Sequence, residues 1–448
     1  MSLIAQRPEP GTPRPYRFPP VVRQTVPGGE VVAADLPGHH LAVATLLLDA
    51  GAGREPVGRE GLVGVVAKAL EEGTTQRDSA AFALALERLG TQLALSADWD
   101  SFRASVQVPV DRLLPAVELL TEAVRAPRFD PADVARVRDD EATALRMYWA
   151  NPGPRADAAL RADLFGTDVR HGLPMDGDPA SVAAITADDV TAFHADWLTR
   201  PGTLLVAGDL ARMDLAALGA AAFRGAAGVP VPPDVPVGVV VRDQRRIILV
   251  DRPGSVQSTL RLGHAAPHRT HPDYVPMSLA ATVLGGAFTS RLNHLLREVR
   301  GYTYGIRADF GLSRRFGRFA VSSGVQTAVT APALVDAVGE IARTEADGVT
   351  EEELAVARAW RVGQLSVELQ TPGAIANALA TLVVYGLPDD YYERLRSDLL
   401  SADPDQVSAA AAAHLYAGGL TLVVEGDAAA IRDGLDATGL GEVVEATV

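Results

Sequence analysis

TLLVAGDL, Thr203 to Leu210, returns as TLVVEGDA, Thr421 to Ala428, 218 residues further along the chain. Outward from this pair the same displacement recurs. Asp35-Leu36-Pro37-Gly38 is matched by Asp251-Arg252-Pro253-Gly254 at an offset of 216, and Pro152-Gly153 by Pro372-Gly373 at 220. Phe165-Gly166 is matched by Tyr385-Gly386, again at 220, inside the similar runs AALRADLFG and NALATLVVYG. Pro-Gly and Gly-Asp are common turn dipeptides, so one match means little. Four in the same order, with offsets agreeing within four residues, mark a duplicated unit of roughly 215 residues. The segment GVPVPPDVPVG, Gly228 to Gly238, lies between the copies and has the composition of a semi-rigid linker. The expected organisation is a Pro-rich N-terminal extension over 1–24, a first domain over 25–227, a linker over 228–240 and a second domain over 241–448.

Each copy mixes helix and strand signals. LAVATLLL, Leu41 to Leu48, is a short apolar run of the kind that forms a buried strand. Phe102, Ala104, Val106 and Val108 alternate with polar residues, as in a half-buried strand. Leu113, Val117, Leu120 and Val124 recur at helical spacing, a stripe expected to pack on the sheet. Strands and helices come in groups rather than in strict alternation, so the expected class is α+β: two homologous layered domains produced by tandem duplication.

Composition removes several functions. Lys plus Arg is 41 against 56 Asp plus Glu, a formal charge of −15, which argues against phosphate-backbone binding and so against nucleic acid. There is no cysteine, which excludes disulfides, thiolate metal sites and thiol nucleophiles together. No apolar run reaches the ~18 residues that span a bilayer. The first twenty residues lack the apolar stretch of a signal peptide. The expectation is a cytoplasmic protein with no membrane partner.

The stretch GREGLVGVVAKALEEGTT, Gly58 to Thr75, following a predicted strand, resembles the pitrilysin or insulinase superfamily of zinc peptidases, mitochondrial-processing-peptidase-like branch. In that family the stretch opens a helix carrying His-x-x-Glu-His. Residues four apart share a helix face, so both imidazoles reach one zinc while the glutamate activates its water. Registered on Gly61-Leu62 and Gly73-Thr74, the three positions are Gly64, Ala67 and Lys68. None is a ligand or a base, and an ammonium at Lys68 repels a cation. The family's third ligand, a glutamate, falls at Thr143 or Ala144 without gaps, with Glu141 close by. No metal or other cofactor is therefore expected in this chain.

LGGAFTSRLNHLLREVRGYTYGI, Leu284 to Ile306, is similar to the family segment in which a Gly-rich turn leads into a helix bearing an Arg, with a Tyr seven residues later. Those positions are Arg297 and Tyr304, and the turn is Gly285-Gly286. VQSTLRLGHAAPHRTHPDY, Val256 to Tyr274, and VTEEELAVARA, Val349 to Ala359, carry the resemblance further. The resemblance implies two domains closing around a central chamber, with Arg297, Tyr304 and the Gly285-Gly286 turn holding a peptide and the phenol donating to its carbonyl oxygen. From residue types alone, Arg297 as a surface charge and Tyr304 as a packed strand residue is the favoured reading; the surrounding motif reverses that preference, and Tyr302 competes two residues away. The missing metal motif beside the Arg and Tyr resembles the zinc-less subunit of heterodimeric family members. It implies a homologous partner bearing His-x-x-Glu-His and the zinc, a peptide substrate, and a hetero-oligomer; a homodimer is also open. The competing class is a structural scaffold such as the core subunits of respiratory complexes.

Other histidines are read as structural. His264, His268 and His271 belong to a Pro-rich segment read as a solvated loop, and His39-His40 to a strand. His171 and His194 are assigned to packing, and His294 with Glu298 to a surface pair on a helix.

Overall fold

The recurring motifs become the central strands of two sheets with the same order. The computed structural model describes residues 16–446 apart from 228, 230, 231, 233–236 and 241. Strands β1 (Val21–Val26), β2 (Gly29–Asp35), β3 (Leu41–Leu48), β4 (Ala94–Ala97), β5 (Phe102–Pro109) and β6 (Gly202–Gly208) form a sheet ordered β1-β2-β6-β3-β5-β4. Strands β7 (Arg246–Asp251), β8 (Gln257–Ala266), β9 (Ile306–Leu312), β10 (Gly317–Gln326), β11 (Thr421–Gly426) and β12 (Glu442–Glu445) form one ordered β12-β7-β11-β8-β10-β9. β2 runs parallel to β6 and β7 parallel to β11, while the other equivalent pairs are antiparallel in both sheets. The sheets differ at one edge. β1 pairs antiparallel with β2, whereas β12 joins β7 in parallel. Since β1 begins at Val21, the first sheet takes in residues expected from sequence to belong to the extension; most of the expected linker lies outside the described residues.

The repeated dipeptides are repeated because they touch. The Asp209 carboxylate accepts the Gly38 N–H at 3.2 Å, and its counterpart Asp427 accepts the Gly254 N–H at 2.9 Å. Asp35 accepts the Leu210 N–H at 3.1 Å, and Asp251 the Ala428 N–H at 3.0 Å. Gly38 and Gly254 turn the chain with φ of 79° and 74°, a region costly for any side chain.

The helices that cover the sheets and frame the candidate surfaces are α1 (Leu62–Ala69), α2 (Leu113–Arg125), α3 (Pro131–Trp149), α4 (Pro154–Phe165), α5 (Tyr274–Ala281), α6 (Thr330–Asp347), α7 (Glu351–Glu368), α8 (Pro372–Tyr385) and α9 (Pro404–His414). The apolar stripe of α2 is buried against β5 and β3. On β3, Ala42, Ala44, Leu46 and Leu48 face the core on this side. Val43 and Leu47 point the other way, into a cluster with Ile375, Leu379 and Leu382 of α8. The continuous apolar run of β3 is thus explained by cover on both faces. The covering helix comes from the other half of the chain. Reciprocally, α4 packs on β8, β11 and β7, its Leu160 and Leu164 joining Ile248, Val250 and Val423. Each half lends the other a helix, and these are the helices opened by the repeated Pro-Gly and closed by Phe165-Gly166 and Tyr385-Gly386.

Buried polar bonds fix the exchange. Asp163 of α4 accepts from Arg242 at 2.8 and 3.1 Å, from Arg246, and from the Thr421 hydroxyl at 2.5 Å. Glu425 of β11 accepts the Gly153 N–H at 2.8 Å and pairs with Arg252 at 3.2 Å. The loop between β9 and β10 reaches back, setting Phe316 against Trp99, Phe165 and His171.

Candidate functional site

The first candidate surface is α1. Its N-terminus is held from below by Glu55, whose carboxylate accepts the N–H groups of Val63 at 2.7 Å and Gly61 at 3.2 Å. Arg170 donates to the same carboxylate at 2.6 and 2.8 Å and to three successive carbonyls, Leu173 to Met175. Burial pushes the Glu55 carboxyl up to about 7, against the pull of Arg170 and the two backbone donors. Gly61 precedes the helix with φ 88°, where an added Cβ would meet the Asp176 carbonyl at 2.5 Å.

Above this anchor lies a cavity of about 240 Å³ lined by Gly64, Ala67, Lys68, Glu71, Glu141 and Asp176, with β4 along one side. Lys68 Nζ sits 2.7 Å from Glu141 Oε1. The bond to Glu141 holds the Lys68 ammonium above its ordinary range, while burial raises the carboxyls of Glu71 and Asp176. This corrects the ungapped reading of the sequence: Glu141, not Thr143 or Ala144, is the residue α3 presents to α1. A zinc ion does not fit these side chains. Gly64 and Ala67 offer no donor atom, and the Lys68 ammonium, already paired with Glu141, repels a second cation in the same cavity. Packing does not demand glycine here, since nothing lies within 4 Å of a Cβ built at Gly64.

The second surface is on the other half. α5 continues into a wide helical turn, Thr282–Gly286, that ends at the Gly285-Gly286 pair. Gly285 is buried, and a Cβ there would lie 2.6 Å from Ala308 of β9, so this glycine allows close packing of the turn on the strand. A second wide turn, Asn293–Val299, carries Arg297. Its guanidinium lies over the Phe288 ring, 3.9 Å from the centroid, and its Nη1 is buried without a hydrogen-bond partner among the described residues. Tyr304 is 96% exposed and, like Tyr302, stands in irregular chain ahead of β9 rather than in a strand. Tyr302 packs on the second core, so the two tyrosines do not share an environment.

Sequence reading missed the residue that joins these parts. Asn293 is buried, its amide donating to Ile306 O at 2.8 Å, Ser290 Oγ at 3.0 Å and Ala287 O at 3.3 Å, and its Oδ1 accepting the Ile306 N–H at 3.2 Å. It pins the turn bearing Arg297 to both the Phe288 loop and the start of β9. The available signal was a polar residue, Asn293, one turn before the buried Leu296 in RLNHLLREV. The segment carrying Tyr304 is braced by the Thr303 hydroxyl, which donates to Gly305 O and Gly324 O at 2.9 and 2.8 Å and accepts from Ser323 at 3.0 Å.

The histidines divide. His171 stacks on Trp99 against Phe316, and His194 bonds Val124 O at 2.8 Å, both packing roles as expected. Burial, with Arg315, Arg170 and Arg161 adding repulsion, lowers the His171 pKa to about 3. His294 and Glu298 pair at 3.2 Å on the surface. His39 and His40 stand in the turn before β3, not in a strand. His264 is not in a loop: it is buried in β8, accepting the Tyr416 N–H at 3.2 Å.

Comparison with known proteins agrees with this architecture. A family model described as "Insulinase (Peptidase family M16)" matches residues 30–174, and one described as "Peptidase M16 inactive domain" matches 184–359. The chain is 28% identical over 359 residues to a Mycobacterium tuberculosis protein named an uncharacterized zinc protease, covering 78% of this chain and 80% of that one. It is 22% identical over 376 residues to the non-peptidase homolog YmxG of Helicobacter pylori, covering 81% and 84%. A crystal structure of a peptidase M16 inactive domain from Pseudomonas fluorescens superposes with a TM-score of 0.84 at 26% identity, over 91% of this chain and 98% of that one.

Proposed function

The chain belongs to the insulinase, or M16 peptidase, family, and we propose that within it this is a non-catalytic subunit that completes a partner's active site. The partner is a homologous chain bearing His-x-x-Glu-His and the zinc; this chain contributes Arg297 and Tyr304 to the peptide. The observation that carries the reading is the pairing of two facts. The Lys68–Glu141 ion pair occupies the positions that align with the family's ligands, and Tyr304 is bare to solvent on a braced segment seven residues after Arg297, whose Nη1 is buried without a partner among the described residues.

The chemistry assigned to each group is limited and concrete. A phenol aimed at a peptide carbonyl stabilises the negative charge that develops on its oxygen, worth on the order of 10²–10³ in rate inside a dry site. Arg297, lying over Phe288, offers N–H donors to backbone carbonyls or acidic side chains of the same peptide. Gly285 acts by letting the turn sit close to β9, so the loop carrying Phe288 keeps its place. Among the described residues no single helix is long and apolar enough to cross a membrane.

Reconstitution with the zinc-bearing partner tests this. Tyr304→Phe removes one exposed hydroxyl and Arg297→Ala one guanidinium, so assembly should persist while turnover of unfolded peptides falls at least tenfold. Turnover equal to the wild-type pair in both variants would reject the composite site and favour the scaffold reading.

A further inference from the structure

We propose that the second half holds a divalent transition-metal site built from His271, Asp273 and His414. His271 lies in the turn leading into α5, Asp273 immediately precedes that helix, and His414 is the last residue of α9, 143 residues beyond His271. One ligand atom from each falls within 4.8 Å of the others. His414 Nε2 is 2.8 Å from Asp273 Oδ2, and His271 Nδ1 is 3.9 Å from the same oxygen. Donor atoms around a tetrahedral ion with ~2.1 Å bonds are separated by roughly 3.4 Å, so the set needs side-chain shifts of about an ångström or less.

Three further features favour a cation here. Among the described residues the ion pairs of Asp273 are with these two imidazoles alone, with no Lys or Arg beside it. Arg269 is engaged elsewhere, its guanidinium over the Tyr274 ring at 3.5 Å and bonded to the Tyr391 hydroxyl. His271 Nδ1 accepts the Asp273 N–H at 3.2 Å, so in this geometry the nitrogen carries a lone pair, and a metal bound there takes the place of that amide. His414 closes α9, where the helix dipole favours positive charge. The side chains are 32%, 45% and 12% exposed in the order His271, Asp273, His414, which leaves an outward position for water or a fourth ligand. Two imidazoles and one carboxylate suit zinc, cobalt or nickel better than magnesium or calcium. The site is separate from the cavity at Lys68 and independent of the composite-site reading.

The test uses the full chain, stripped with chelator and titrated with zinc chloride by calorimetry. One site per chain is expected, with affinity reduced at least tenfold in His271→Ala and in His414→Ala and unchanged in His294→Ala, whose imidazole belongs to a surface pair elsewhere. Zinc should also raise the Tm of the wild type and not that of His271→Ala. Should His414→Ala fail to fold, His271→Ala, on a partly exposed turn, decides alone. Zinc binding no tighter in the wild type than in His271→Ala, or no binding at all, would overturn the proposal.

Discussion

If Glu141 truly faces α1, two substitutions should turn the Lys68 cavity into a zinc site: Gly64→His together with Lys68→His. Positions 64 and 68 are one turn apart on α1, so both imidazoles project from one face. The space is there, since nothing lies within 4 Å of a Cβ at Gly64. The folding cost is small. Replacing a helix glycine gains up to several tenths of a kcal/mol, and losing the half-exposed Lys68–Glu141 bridge costs about 0–1 kcal/mol. The substitution frees Glu141 to serve as third ligand, because its Oε1 already reaches 2.7 Å from the atom being removed. At zinc one hundred times above Kd, mass action adds about 2.7 kcal/mol of stability. With an unfolding entropy of about 2.1 cal/mol/K per residue over the whole chain, this is a Tm rise of about 3 °C. The assay is metal analysis after dialysis and a melting curve with and without zinc, both in a His271→Ala background so that the proposed second site does not contribute. One zinc per chain, abolished by adding Glu141→Gln, is the expected result. No bound zinc, or zinc retained after Glu141→Gln, would refute the placement of Glu141.

Buried groups set two expectations for stability. Asp163→Ala strands the buried Thr421 hydroxyl and leaves Arg242 and Arg246 without their shared carboxylate, though both are about one-third exposed and can turn to water. A loss of about 2–4 kcal/mol in urea unfolding is expected, and a loss below about 1 kcal/mol would show that the exchanged helix does not depend on this hub. His171 titrates near 3 when folded and near 6.5 when unfolded. As pH falls below 6.5 the unfolded chain takes up this proton first, so stability is intact above 6.5 and declines by about 1.4 kcal/mol per pH unit until pH approaches 3. His171→Phe keeps the ring stack and should flatten the difference between urea midpoints at pH 7 and pH 5; an unchanged difference would show that His171 is not the group responsible.

Particular residues show what a sequence can carry here. The Asp and Gly of the repeated turns were visible because each hydrogen bond needs both partners, and the duplication preserved both. The strands at Leu41 and Phe102 were visible through their apolar run and period-two pattern. The source of the helix on each sheet was not visible. An apolar face on α4 or α8 is the same pattern whether it covers its own sheet or the neighbouring one. Glu141 falls two residues out of register in an ungapped count, which assumes equal loops between α1 and α3. Tyr304 was open to a strand reading because the Tyr302-Thr303-Tyr304 alternation looks like β structure, whereas the Thr303 hydroxyl bonds hold it in irregular chain. His271 was grouped with His264 and His268 by spacing, but its structural neighbour, His414, comes from the far end of the chain.

The most direct measurement of the central claim is peptide cleavage by the chain purified alone and by the native complex recovered from its host on a tagged copy. A composite site requires no cleavage by the chain alone even with zinc added, and cleavage by a complex containing a His-x-x-Glu-His partner that is lost when the tagged copy carries Tyr304→Phe. Cleavage by the isolated chain, or by a complex indifferent to Tyr304→Phe, would contradict it.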